Sequence, residues 1–138
     1  MLLLTKLLLA FNHMRKIFQT IYPSLIWTGI IFWLLTMNTS SSGRFSFLKS
    51  IPHYDKYIHW GIFVIFSIVW MSYWRNKTNN ETRQIALMVF VVGSVYGMGM
   101  EFYQLYFTNR SFSWWDGLAD AAGTGFGVWL ATKKPLWK

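Results

Sequence analysis

Eight side chains have the types and spacing to do chemistry, and they fall in two groups. Asp55, Lys56 and His59 open one apolar run. Glu101, Gln104, Arg110, Asp116 and Asp120 lie within "VYGMGMEFYQLYFTNRSFSWWDGLADAAG", residues 95–123. The chain has only five acidic residues, and three of them fall in that stretch, so an apolar segment has collected its charge in one place. In acid–base chemistry, His59 or Glu101 would be the general base, with Asp116 or Asp120 holding its partner in place. Lys56 and Arg110 could hold phosphate, the arginine through a planar bidentate fork, while the carboxylates and Gln104 take amide or sugar donors. His59, Glu101, Asp116 and Asp120 could also ligate a divalent metal, but a dedicated spacing such as HExxH is absent. No serine motif or cysteine supplies a covalent nucleophile, and the sequence calls for no cofactor.

Each residue also has a plainer reading. Asp55 could cap a helix, and Asp116 suits a first helical turn, where the dipole favours an anion. Asp120 is a full turn deeper, beyond the reach of capping. His59 could be a hydrogen-bonded interfacial histidine, and Arg110 could staple a short loop to a carboxylate. Glu101 is hardest to dismiss, because ionisable groups inside apolar spans mark functional sites or buried pairs.

The elements that must position these residues follow from composition. Of 138 residues, 54% are apolar, 20% aromatic and 13% charged, about half the charged fraction of globular proteins. A small soluble domain could not bury that much apolar surface. An all-α integral membrane protein is expected, with the lipid bilayer as its surroundings. Four apolar stretches have roughly the 17–25 residues a spanning helix needs: 21–37, 57–74, 85–107 and 114–132. Tyr22, Tyr57, Trp74, Trp114, Trp115 and Trp129 lie near span ends and suit interfacial belts. Residues 1–20 read as a short interfacial helix, with a translation start at Met14 as an alternative, and 21–134 as one four-helix transmembrane domain. The net charge of +8 is dispersed in small groups rather than one stripe, which argues for topology signals and against nucleic acid. Nine Lys and Arg lie in the N-terminal segment, the 75–84 turn and the C-terminus, against Arg44, Lys49, Lys56 and Arg110 in the other two connections. That split puts both termini in the cytoplasm.

With this orientation, the start of span two, the end of span three and the start of span four reach one depth on the outer side. Glu101 is six residues before Phe107, about 9 Å along the axis. Asp55 and His59 share a face at i, i+4, as do Glu101 and Gln104 at i, i+3. Asp116, Asp120, Gly123 and Gly127 form one stripe on span four, whose glycines permit close helix approach. The expectation is one polar cluster of His59, Glu101, Gln104, Asp116 and Asp120. Arg110 is expected to be the chief electrostatic partner of the outward carboxylates.

"DKYIHWGIF" followed by "EFYQLYFTNRSFSWWDGLADAAGTGFG" resembles the VanZ-like membrane proteins. Their pattern is an Asp-Lys-x-x-His opening one span, then Glu-x-x-Gln, an Arg, and an Asp and an Asn ahead of spaced glycines. Asp55, Lys56, His59, Glu101, Gln104, Arg110, Asp116, Gly123 and Gly127 fill those positions, with Asp120 where the family usually has Asn. The likeness covers about residues 50–130. It implies a multi-pass protein of the cell envelope, in a family whose founding member is associated with antibiotic resistance to the glycopeptide teicoplanin. The expected activity is binding of a cell-wall or lipid-linked ligand, or a glycopeptide, at an outward-facing polar site. The alternative is an intramembrane hydrolase or transferase acting on a lipid-linked or phosphate-bearing substrate.

Overall fold

The computed structural model describes residues 2–37, 53–108 and 110–133, and every described element is a helix. They are α1 (Leu2–Phe18), α2 (Tyr22–Thr36), α3 (Tyr54–Lys77), α4 (Thr82–Phe107) and α5 (Trp114–Lys133). Arg44, Lys49, Lys134 and Lys138, which enter the charge split, lie outside the described residues.

Helices form over the four expected apolar stretches, with shifted bounds. α3 and α4 have 24 and 26 residues and are long and apolar enough to cross a membrane. At 1.5 Å per residue they reach about 36 and 39 Å, beyond a hydrocarbon core of about 30 Å. Their most apolar stretches are only 39% and 33% buried, so most of that surface faces outward and suits a membrane environment. α2 is apolar but stops at 15 residues, because the backbone turns extended at Met37. α5 has the length, but its two aspartates and four glycines dilute its apolar character. Two of the four expected spans therefore meet the length and apolarity a crossing requires.

Large apolar side chains face outward as well as inward, and several polar groups are buried among the helices. Leu25, Ile26, Val91, Val92, Val95, Leu118 and Trp129 face outward, whereas Ser24, Ser67, Thr124, His59, Glu101, Gln104 and Asp120 are buried. So much outward apolar surface suits surroundings as apolar as the core. Each buried polar group needs a partner inside the protein. Ser24 donates to the Val69 carbonyl, Trp27 to the Ile62 carbonyl and Tyr96 to the Thr28 carbonyl, which ties α2 to both α3 and α4. Apolar clusters fill the remainder: Ile31, Leu35, Ile62, Phe63, Phe66 and Met100 on one side, Met71, Ile85, Val89 and Ala131 towards the other end.

α5 lies in the cleft between α3 and α4, and glycine makes that possible. A Cβ on Gly123 would strike the Trp60 carbonyl of α3, and one on Gly127 would approach the Val64 carbonyl. On α4, Gly97 and Gly93 make way for Asp120 and Thr124; a Cβ at Gly97 would sit 2.6 Å from that of Asp120. Small residues four apart on two helices thus bring three backbones close, a common device where no hydrophobic gain drives helices together. At the far end Arg75 donates to the Ala131 carbonyl at 2.7 Å, satisfying one of the last carbonyls of α5.

Candidate functional site

α3 begins, α4 ends and α5 begins at the same end of the bundle, and their polar residues meet there in two layers. In the outer layer Lys56 lies 3.0 Å from Asp55 Oδ2 and 3.1 Å from Asp116 Oδ1. Asp116 is nearly buried, whereas Lys56 and Asp55 keep about a third of their side chains in contact with the surroundings. One turn further in, His59 Nδ1 is 3.0 Å from Asp120 Oδ1 and 3.9 Å from Glu101 Oε1. His59 is 2% exposed, and Glu101 and Asp120 are fully enclosed. The two layers follow from helical spacing: Lys56 and His59 are i, i+3 on α3, and Asp116 and Asp120 are i, i+4 on α5.

Glu101 reaches this layer from α4, and its other oxygen fixes the loop before α5. Oε2 accepts the Ser113 amide at 3.1 Å. Ser113 Oγ in turn accepts the Asp116 amide at 3.3 Å, as the first residue of a capping box does. Here the Ser113 amide is taken by Glu101 rather than by the acid three residues on, so the cap of α5 and the buried carboxylate are one unit. Sequence reasoning missed Ser113, although the Ser113-x-x-Asp116 spacing signals it. It also passed over Gly93 and Gly97, whose i, i+4 repeat is the partner of the stripe on α5.

Two expectations are corrected. Gln104 does not join the cluster: its Nε2 donates to the Leu35 carbonyl at 2.8 Å. Leu35 lies in the last turn of α2, where carbonyls lack an intrahelical donor, so that orphan acceptor captures the amide. Nor is Arg110 the main partner of the carboxylates. Among the described residues it makes no ion pair, and Lys56 takes the place between Asp55 and Asp116. A helical side chain has its direction fixed by the helix axis, which aims Lys56 at α5, whereas a loop residue such as Arg110 has no such constraint. Asp55 pairs with Lys56 and not with His59, although both share a face of α3.

The inner layer is unbalanced. Glu101 and Asp120 bring two carboxyl groups against one imidazole in a place closed off from the surroundings, where an unpaired charge costs several kcal/mol. Glu101 Oε1, Asp120 Oδ2 and His59 Nε2 have no hydrogen-bond partner among the described residues. Chemically, the His59–Asp120 contact orients the imidazole and can hold a proton between nitrogen and carboxylate. The outer layer holds its one ammonium between two carboxyl groups, and Arg110 is the nearby cation without an ion pair among the described residues. No protein-family model matches the chain, nor does any curated protein or solved structure.

Proposed function

We propose that this chain is a VanZ-like, four-span protein of the cell envelope. Its helices α2 to α5 cross the membrane with both termini in the cytoplasm. It binds the phosphate-bearing head of a lipid-linked cell-wall precursor where α3, α4 and α5 open to the outer side. The observation that carries the reading is the outer layer, in which Lys56 stands between Asp55 and Asp116 above a buried polar floor. Arg110, half-buried and without an ion pair among the described residues, supplies a second cation from the adjoining loop. A fixed ammonium and a planar guanidinium are the pair that phosphate recognition uses. Apolar outward faces on α3 and α4 offer the lipid tail a place alongside.

The test is native mass spectrometry of the full chain in lipid nanodiscs with a long-chain polyprenyl phosphate and the matching neutral polyprenol as probes. The phosphate is expected to be retained and the alcohol not, with Arg110→Ala reducing retention about tenfold, the loss of one charge-assisted contact. Equal retention of both lipids removes the proposal.

One observation favours a second reading, an intramembrane hydrolase. The 3.0 Å contact of His59 with Asp120 is how a general base is held in its working tautomer. Turnover of a polyprenyl diphosphate by the wild type, lost in His59→Gln with binding retained, would select this reading.

A further inference from the structure

The geometry points to a divalent metal site in the inner layer, with His59, Glu101 and Asp120 as its three protein ligands. One donor atom from each residue lies within 4.8 Å of the other two. His59 Nδ1 is already 3.0 Å from Asp120 Oδ1 and 3.9 Å from Glu101 Oε1. Donors around an ion bound at about 2.0–2.2 Å stand roughly 3–3.5 Å apart, so the triad closes with movements of roughly 1–1.5 Å shared between the Glu101 and Asp120 side chains.

Two further facts, independent of the clustering, favour an ion. The first is the orphaned donor: Glu101 Oε1 is fully enclosed, faces the imidazole and has no hydrogen-bond partner among the described residues. Its sister oxygen is occupied by the Ser113 amide, so the free one is oriented rather than loose. The second is charge. Two carboxylates and a neutral imidazole around a dication sum to zero, which is the state an apolar enclosure favours. The set is one nitrogen and two oxygens, the chemistry of Zn²⁺ or Mn²⁺ rather than of a soft-metal thiolate site. Three protein ligands leave a coordination position open, as catalytic metal sites do. That position would serve a water. The proposal rests on the reading of this end of the bundle as a binding site.

The experiment uses the full chain carrying His13→Gln and His53→Asn, so that His59 is the only histidine, purified without a polyhistidine tag into nanodiscs and stripped with EDTA. Reloading with Zn²⁺ or Mn²⁺ alone is expected to give roughly one ion per chain by elemental analysis, with a raised unfolding midpoint, since a ligand that binds only the folded state stabilises it. The Mn²⁺ form is expected to show imidazole ¹⁴N coupling in pulsed electron paramagnetic resonance, which needs no further variant. Glu101→Gln with Asp120→Asn, close in shape to the originals, is expected to lose the ion while keeping its helical circular dichroism. Uptake below about one ion in ten chains, uptake equal in the double variant, or Mn²⁺ without nitrogen coupling overturns the site, the last being an adventitious ion only. Polyprenyl phosphate retained without ion uptake sinks the ion alone; ion uptake without retention sinks the ligand reading alone.

Discussion

Lys56 is the residue on which the outer layer depends. It joins two carboxylates, one of them nearly buried, and its removal leaves like charges facing each other. Lys56→Gln is expected to cost about 1–3 kcal/mol, less than a fully buried pair because the ammonium is part-exposed. Asp116→Asn in the same chain should restore most of that, and a double-mutant cycle of detergent-unfolding midpoints measures the coupling. Arg110→Ala, by contrast, should change stability by no more than about 0.5 kcal/mol, because no ion pair among the described residues is lost. A large destabilisation by Arg110→Ala would return that residue to the role the sequence suggested for it. Gln104→Leu has a different expected signature: it frees the Leu35 carbonyl and loosens the end of α2, for about 1–3 kcal/mol. Hydrogen exchange at α2 would report that change.

α5 is the element that positions the site, and glycine sets how near it comes. Gly123→Ala and Gly127→Ala place a methyl against carbonyls of α3, which cannot rotate away as a side chain can. Each should destabilise by about 1–3 kcal/mol and move Asp120 off His59. Gly99→Ala is the control, since nothing lies within 4 Å of its added carbon. There the helix gains about 0.5–1 kcal/mol from reduced backbone freedom. Thermal unfolding of the three variants in one detergent separates these signs. Equal effects at Gly99 and Gly123 would mean that close approach is not what the glycines provide. At the other end of α5, Arg75→Ala gives up a 2.7 Å bond to the Ala131 carbonyl and is expected to cost about 1 kcal/mol.

For the molecule as a whole, the question is which side the polar end faces. The natural chain has no cysteine, so single cysteines report without background. Ser111→Cys lies beside the site and Asn80→Cys at the opposite end, both on exposed positions. Under the proposed topology an impermeant maleimide added to intact cells labels Ser111→Cys and leaves Asn80→Cys untouched until the membrane is opened. The reverse pattern turns the site to the cytoplasm and removes external cell-wall ligands from consideration, while leaving the metal site standing.

Composition by itself determined the helical, outward-apolar character, because so much apolar surface has no other disposal in a chain this short. Spacing determined that Asp116, Asp120, Gly123 and Gly127 share one stripe, since 3.6 residues per turn leaves no choice. It also put Asp55 and His59 on one face of α3, although Asp55 pairs with Lys56 instead. Only the tertiary structure decided which groups meet across helices. Rotation of each helix about its axis and the depth of glycine contact bring Glu101 to His59 and Asp120, and periodicity within one helix carries no information on either. Gln104 turns to an orphan carbonyl 69 residues earlier in the chain, a contact no local pattern encodes. Lys56 displaces Arg110 for the same reason: a helix fixes where its side chains point, and a loop acquires direction only from what it folds against.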